Sequence, residues 1–450
     1  MLSREDNQTL CRVGPGTLMG DLMRQYWLPG LMSSELPEAD GAPVRLRLLG
    51  ENLIAFRTTS GAVGVMADAC PHRGASMFFG RNEEEGLRCV YHGWKLDVSG
   101  ACVDMPNEPA ESNFKHKIRA TAYRAVERNG VLWVYMGERE TPPPLPRLEP
   151  NLLPDDEWQV TAVQRECNYM QALEGDIDTS HLGFLHLGAI PPEAATPGTF
   201  SEYSVRYKDP KYEVVDTDYG TMYGAFRPAE ADSYYWRVAH FLFPCYTMPP
   251  VGVLGLKVVV RAWVPLDDDH TMFIMMSPKM GRANASMAGP RQVDTSVTRS
   301  LAGGGMGRFL ANTTANLGRW RPAANRSNDY QIDRQSQKTD SYSGIAGIHL
   351  QDQAITESMG PIYTRNQEHL GTSDMMIIRT RKRLIQAAKA LRATGETPPG
   401  VDAPATYGVR AGGVILKRDA DWLDATRTLR AAFVNHPELD LSIAGNIPGA

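Results

Sequence analysis

The sequence predicts an α+β protein of two domains. Three observations carry this expectation. The chain has 450 residues, and at roughly 150 residues per domain a single core does not hold it. A break is written at Thr141-Pro142-Pro143-Pro144-Leu145-Pro146, followed by Pro150 and Pro154. Such a stretch runs neither as helix nor as central strand. Beyond the break, extended segments follow one another without intervening helices, the order of an antiparallel sheet. The expected units are 1–154 and 155–450.

In the first unit, Val44-Arg45-Leu46-Arg47-Leu48 and Asn52-Leu53-Ile54-Ala55-Phe56-Arg57 alternate as strands, punctuated by Gly50 and Gly61. Gly130-Val131-Leu132-Trp133-Val134-Tyr135 is a third strand. In the second unit, 166–182 reads as helix. Extended segments are expected at 201–208, 212–217, 220–227, 234–243, 253–264 and 271–277. Residues 280–345 are rich in Gly, Ser, Asn and Thr and read as irregular, and 373–393 has a helical pattern rich in Arg and Lys. No internal repeat occurs.

Hydrophobic residues make up 42% and charged residues 22% of the chain, an ordinary balance for a folded soluble protein. There are 47 Lys plus Arg against 52 Asp plus Glu, which argues against a general nucleic-acid binder. No apolar run reaches the ~18 residues of a membrane span. The opening Met1-Leu2-Ser3-Arg4-Glu5-Asp6 has no apolar signal region. A cytoplasmic location with reduced thiols is expected. Six Cys are too few for a disulfide scaffold.

The chemistry concentrates in two places. Cys70-Pro71-His72-Arg73-Gly74 is followed, after 16 residues counted from His72, by Cys89-Val90-Tyr91-His92-Gly93-Trp94. Zinc usually collects two Cys in one knuckle. One Cys and one His per loop is the distribution of a Rieske [2Fe–2S] cluster, with two thiolates on one iron and two imidazoles on the other. Gly74 and Gly93 are expected to let the backbone approach the sulfides and to aim their amides at them. Cys11, Cys102, Cys167 and Cys245 complete no second cluster. A structural zinc site is the plain alternative. The two loops resemble those of the Rieske-type non-heme iron oxygenases.

The second place is Asn168, Gln171, Glu174, Asp178 and His181, spaced 3, 3, 4 and 3. On a helix they fall within ~140° of one face. Polar stripes are usually solvated, but this one ends in His181, with His186 five residues on. Gly183 offers a break that brings the two imidazoles together. Two His and one carboxylate suit a mononuclear Fe(II) that activates O2. Asp178-x-x-His181-x4-His186 resembles the family's iron motif. The resemblance makes His181 and His186 ligands and makes Asp178 the acid that couples this iron to the Rieske His of a neighbouring subunit. For the third ligand, Asp352 in Ile348-His349-Leu350-Gln351-Asp352 takes the family position, with His349 and Glu357 as nearby rivals.

The resemblance spans nearly the whole chain. It includes Arg12-Val13-Gly14-Pro15-Gly16-Thr17-Leu18-Met19-Gly20, Asp104-Met105-Pro106 and Glu368-His369-Leu370-Gly371-Thr372-Ser373-Asp374. Together these look like the phthalate dioxygenase branch. The implied fold is an all-β Rieske domain followed by a helix-grip catalytic domain with an antiparallel sheet. The implied assembly is a homotrimer or a stacked pair of trimers. The implied function is dihydroxylation of an aromatic carboxylate, phthalate or a close relative. O-demethylation of an aromatic acid or phenyl ether is the alternative within the enzyme class, and a Rieske electron carrier without oxygenase chemistry is the alternative outside it. Gly303-Gly304-Gly305-Met306-Gly307 fails the dinucleotide spacing, and no phosphate-binding loop is present. A separate NAD(P)H-dependent reductase with flavin and a [2Fe–2S] centre is therefore the expected partner.

A substrate carboxylate calls for a buried Arg. Arg206, read as mid-strand, and Arg237, on a face with Tyr235, Ala239 and Phe241, are the candidates, with Arg261 weaker.

Overall fold

The computed structural model describes residues 2–112, 114–154, 157–256, 258–279 and 306–432. Ten strands precede the proline-rich stretch: β1 (Trp27–Met32), β2 (Val44–Leu48), β3 (Glu51–Arg57), β4 (Val63–Ala67), β5 (Arg81–Glu83), β6 (Gly86–Arg88), β7 (Lys95–Leu96), β8 (Cys102–Asp104), β9 (Ala122–Arg128) and β10 (Val131–Tyr135). They form a six-stranded sheet ordered β1-β10-β9-β4-β3-β2 and a four-stranded sheet ordered β5-β6-β7-β8. All pairings are antiparallel. β10 is buried at all five positions, which explains why its sequence is a continuous apolar run instead of an alternating one.

After the proline-rich stretch come β11 (Trp158–Arg165), β12 (Lys211–Thr217), β13 (Gly220–Pro228), β14 (Ser233–Leu242), β15 (Tyr246–Met248), β16 (Val260–Pro265), β17 (Thr271–Pro278) and β18 (Gly412–Lys417). They make one antiparallel sheet ordered β11-β17-β16-β15-β14-β13-β12, with β18 also paired to β14. The principal helices are α1 (Arg4–Cys11), α2 (Leu18–Met23), α3 (Tyr169–Asp176), α4 (Phe200–Arg206), α5 (Ile348–Ser358) and α6 (Met375–Thr394). This is the expected α+β arrangement. Among the described residues, no helix is long and apolar enough to cross a membrane.

Three expectations are corrected. Residues 201–208 are largely helix, not strand: Phe200–Arg206 is α4. Glu202 and Arg206 pair at 3.0 Å one turn apart, an interaction that only a helix offers. The helix expected over 166–182 spans only Tyr169–Asp176. Of the strand expected at 253–264, only Val260–Pro265 forms. The segment expected to be irregular lies outside the described residues from 280 to 305, as do Gly303, Gly304 and Gly305; from 306 to 345 it is loop apart from a 3-10 helix at Arg326–Gln331 and one helical turn at Ser336–Thr339.

α6 is a 20-residue amphipathic helix whose buried face is Met376, Ile377, Thr380, Arg381, Leu384, Ile385 and Ala388. Gly395, at φ 72°, ends it in the left-handed region. α1 and α2 pack on α6, so the first residues of the chain lie against the second unit. One apolar core runs through both units; within it Tyr246 Oη donates to the Trp27 carbonyl at 2.8 Å.

The polar stripe of α3 is buried. Asn168 caps the helix by accepting from the Met170 amide, and its Nδ2 donates to the carbonyls of Cys11 and Asp268. Gln171 Nε2 donates to the carbonyls of Thr356 and Gly360. Glu174 accepts from Arg381 (2.6 and 2.9 Å) and Arg365 (3.2 and 3.3 Å), and Arg381 also donates to Glu368 at 2.6 Å. Burial alone would raise the Glu174 carboxyl, but the two guanidinia outweigh it and hold it below its ordinary value. Removing one partner of such a network strands a buried charge. Glu174→Ala is expected to destabilise the protein by about 3–5 kcal/mol, read as a lower urea midpoint with an unchanged slope.

Candidate metal centres

One Cys-His loop leads from the six-stranded sheet into the small sheet, and the other joins two strands of the small sheet. Cys70–Gly74 lies between β4 and β5, and Cys89–Gly93 between β6 and β7. Each loop closes in the same way. The amides of Cys70 and Cys89 donate to the carbonyls of Ala75 and Trp94, both at 2.8 Å, and the amides of Gly74 and Gly93 donate to the carbonyls of Cys70 and Cys89, both at 2.9 Å. Gly74 and Gly93 sit at φ 76° and 79°, and a Cβ at Gly93 would meet Pro106 at 2.7 Å. The glycines are thus needed for the turn. Their amides are spent on Cys carbonyls, which corrects the expectation that they aim at sulfides.

Cys70 and Cys89 are buried and in no disulfide. The rings of His72 and His92 are 4.4 Å apart, and Trp94 stacks on His72 at 4.4 Å. Trp94 Nε1 in turn donates to Asn107 Oδ1 at 2.7 Å. His72 Nδ1 is buried and has no hydrogen-bond partner. Burial pushes the Cys70 thiol up to about 11, with Cys89 beside it adding to the rise. Two adjacent buried sulfurs and an unpartnered ring nitrogen fit a bound cationic centre, which removes the cost of ionising the thiols.

The second centre forms where α3 stops. After Asp176 the chain leaves the helix, and His181–Gly183 makes a single 3-10 turn. The break is therefore before His181, not at Gly183 alone. It brings His181 Nε2 to 3.1 Å from His186 Nε2. α5 carries Asp352 to the same point: its Oδ1 is 3.1 Å from His186 Nε2 and 3.6 Å from His181 Nε2. Among the described residues, the three ligand atoms all lie within 4.8 Å of one another. The side chains of His181 and Asp352 keep 23% and 26% of their surface exposed, so the group is open on one side.

The outer nitrogens are held. His181 Nδ1 faces Asp178 Oδ2 at 3.2 Å, and His186 Nδ1 donates to Gln351 Oε1 at 2.6 Å. Each ring thereby presents Nε2 to the shared point. Asp178 Oδ1 accepts from the amide and hydroxyl of Ser180, both at 2.7 Å. Gln351 Nε2 donates to the Ile345 carbonyl at 2.8 Å. Burial would raise the Asp352 carboxyl; the charges of His186 and His181 hold it well below the ordinary carboxylate range. Burial would also lower His181, but Asp178 more than offsets this and raises it. Two imidazoles and a carboxylate with one open side suit a divalent iron.

The rival third ligands lie elsewhere. His349 packs its ring on Phe273 at 5.6 Å, and burial, with Arg261 and Arg165 nearby, lowers it to about 3. Glu357 accepts from the Glu166 amide at 2.9 Å and from Tyr330 Oη at 2.7 Å. Arg206 is half exposed and paired with Glu202. Arg261 is paired with Asp176. Arg237 is buried on β14, its guanidinium 5.2 Å from the Phe200 ring, and its Nε has no partner. Sequence reasoning missed Gln351 and Ser180. Ser180 was legible as an Asx turn, since Asp178 is followed two residues on by a donor. Gln351 carried no signal, because its partner lies 165 residues away.

Gln351→Ala frees one side of the His186 ring. It is expected to weaken iron at the second centre by roughly 10–100-fold. Iron should then fall from about three per chain towards two, with two acid-labile sulfides and the cluster absorption unchanged. Metal analysis after dialysis against a weak chelator checks this.

Comparison with known proteins is consistent with both centres. Residues 26–121 match the family described as "Rieske [2Fe-2S] domain", and residues 134–441 match "LigXa C-terminal domain like". The chain is similar to the 3-chlorobenzoate-3,4-dioxygenase oxygenase subunit of Comamonas testosteroni, at 47% identity over 94% of this chain and 97% of that one. It is similar to the phthalate 4,5-dioxygenase oxygenase subunit of Pseudomonas putida, at 37% over 94% of each. It also resembles the 5,5'-dehydrodivanillate O-demethylase oxygenase subunit of Sphingobium, at 37% over 61% of this chain and 62% of that one. Among solved structures, dicamba monooxygenase bound to dicamba shares the fold, with a TM-score of 0.55 at 16% identity over 82% of this chain and 98% of that one. The chain belongs to the Rieske non-heme iron oxygenases: it is an oxidoreductase, the terminal oxygenase component of an aromatic ring-hydroxylating system that carries a [2Fe–2S] cluster and a mononuclear iron and draws electrons from a separate reductase.

Proposed function

We propose that this oxygenase dihydroxylates an aromatic carboxylate of the kind named in its relatives, a chlorobenzoate or phthalate. The observation that carries the reading is Arg237: a guanidinium only 6% exposed, with no hydrogen bond or ion pair to any described residue. An isolated buried cation is costly, and a substrate carboxylate supplies the missing charge. Arg206, the other candidate, is not assigned a substrate role.

In this reading Cys70, His72, Cys89 and His92 hold the cluster, and His181, His186 and Asp352 hold the iron. When bound, the cluster supplies electrons one at a time and the iron supplies O2 activation next to the ring. The protein's own part is positioning. Arg237 fixes the carboxylate end of the substrate. Gln351 and Asp178 fix the two imidazoles, Asp178 by holding the proton on His181 Nδ1. Asp178, with 19% of its side chain exposed, serves in this reading as the positioning residue between His181 and a cluster histidine, His72 or His92, of a neighbouring subunit. That role calls for a homotrimer or a stacked pair of trimers. An NAD(P)H-dependent flavin and [2Fe–2S] reductase, a cytoplasmic location and units at 1–154 and 155–450 complete the reading. O-demethylation is the second reading, favoured by the similarity to a demethylase subunit.

Product analysis with a surrogate reductase under labelled O2 separates the two. Two labelled oxygens on the ring of 3-chlorobenzoate or phthalate support dihydroxylation; formaldehyde released from a methoxybenzoate, with no diol from either acid, overturns it. Arg237→Gln is expected to raise the apparent KM for the acid by about two orders of magnitude and to leave that for the matching amide nearly unchanged. Asp178→Ala should keep the reduced-cluster EPR signal and slow reoxidation of the cluster by O2 in stopped flow; reoxidation at the normal rate would exclude Asp178 from the route.

A further inference from the structure

Arg227 is a second buried guanidinium beside Arg237. It is 1% exposed. Its Nε donates to the Tyr207 carbonyl at 2.8 Å and its Nη2 to the Thr179 carbonyl at 3.4 Å. Its Nη1 is buried and has no partner, as is Arg237 Nε. Neither guanidinium forms an ion pair with a carboxylate of any described residue.

The register places the two on one face. Ala225 of β13 is opposite Arg237 of β14, and Arg227 is opposite Tyr235. Directly opposed residues share a face, so Arg227 and Arg237 are diagonal neighbours, about 7–8 Å apart at Cα. The face is walled by aromatic rings: Tyr212 and Tyr223 at 5.6 Å, and Tyr203 stacked on Tyr235 at 4.9 Å. α4 covers it with Phe200 over Arg237 and with Ser204, whose Oγ is buried without a partner. Burial, and then the charge of Arg237, bring the Arg227 guanidinium down to about 10. Two like charges are thus held close together and largely out of water, with unused donors at Arg227 Nη1 and Arg237 Nε and no carboxylate partner among the described residues. The Thr179 carbonyl that anchors Arg227 lies next to Asp178 and two residues before His181, which puts this sheet face alongside the iron-ligand loop.

We infer that Arg227 and Arg237 form a two-guanidinium pocket that seats one carboxylate of the aromatic substrate between them, with Arg227 a specificity-determining residue tied to the ligand loop. The inference rests on the carboxylate reading above and adds a residue to it. Two backbone carbonyls orient Arg227, so Nη1 points without a further entropy cost. A carboxylate has two oxygens, one for each guanidinium. A neutral ring finds two buried cations left unpaired and is rejected.

The test is equilibrium binding of 3-chlorobenzoate and 3-chlorobenzamide to the intact holoprotein by calorimetry, for the wild type, Arg227→Gln, Arg227→Lys and Arg237→Gln. Gln keeps a donor for the Tyr207 carbonyl. Arg227→Gln is expected to weaken binding of the acid by about thirtyfold or more and to leave the amide within a few fold, with an unchanged cluster spectrum and iron content. Arg227→Lys should fall between the wild type and the Gln variant for the acid, because an ammonium keeps the charge but not the fork. If Arg227→Gln does not fold, Arg227→Lys decides: affinity for the acid equal to wild type overturns the inference. Equal losses for acid and amide in either variant also overturn it, since Arg227 would then be structural. A wild type that binds acid and amide alike refutes the carboxylate reading itself. Loss of the preference in Arg237→Gln with its retention in Arg227→Gln leaves that reading standing and removes Arg227 from it.

Discussion

Glu174 is the interaction on which the second centre depends. It sits in the last turn of α3 and accepts from Arg365 and Arg381. Arg365 also reaches Asn7 on α1, and Arg381 lies on α6 and reaches Glu368. One carboxylate therefore ties the N-terminal helix, the long C-terminal helix and α3 together out of water. Such a network contributes little net stability relative to an apolar core, but it admits a single arrangement, because any slip strands a charge. What it sets is the point in space where α3 ends, and the His181–His186 loop begins five residues later.

From that point, the iron centre is built by partners of partners. His181 is aimed by Asp178, which is itself held by Ser180; His186 is aimed by Gln351, which is held by the Ile345 carbonyl. Gln351 and Asp352 are neighbours on α5, so one helix turn delivers both a carboxylate and the group that orients an imidazole. Gln171 donates to the carbonyls of Thr356 and Gly360 at the end of the same helix. α3 and α5 are therefore registered by backbone contacts as well as by the centre between them. The cluster loops follow the same logic on a smaller scale: each is closed by its own backbone, and Trp94 braces His72 by stacking.

Charge balance is uneven among the buried guanidinia. Arg165, Arg365, Arg381 and Arg410 are buried, and the last three have carboxylate partners in the protein. Arg227 and Arg237, on adjacent strands of the inner sheet face, have none among the described residues. Among the described residues Arg165, Arg227 and Arg237 are the buried guanidinia without a carboxylate partner, and the last two lie together beside the His181–His186 loop. That asymmetry is an electrostatic demand on whatever binds there.

The residue types and their short-range spacing determined the chemistry. Cys70-x-His72 and Cys89-x-x-His92 are local, so both loops were legible as a Rieske motif; Asp178-x-x-His181-x4-His186 was legible for the same reason. Strands β2, β3, β10, β13 and β14 and helix α6 were legible from period and punctuation. What the sequence left open depends on contacts between distant segments. Residues 201–208 read as a strand, but Phe200–Arg206 is a helix that buries Ser201, Tyr203, Ser204 and Val205, and that packing depends on contacts the local sequence does not carry. The choice of Asp352 over His349 and Glu357 was open because all three lie on one helix; only the direction in which α5 meets α3 puts Asp352 at the shared point. Arg227 gave no signal at all. An Arg in a strand is exposed or paired by default, and its isolation beside Arg237 arises only when β13 and β14 pair in register and α4 closes over them.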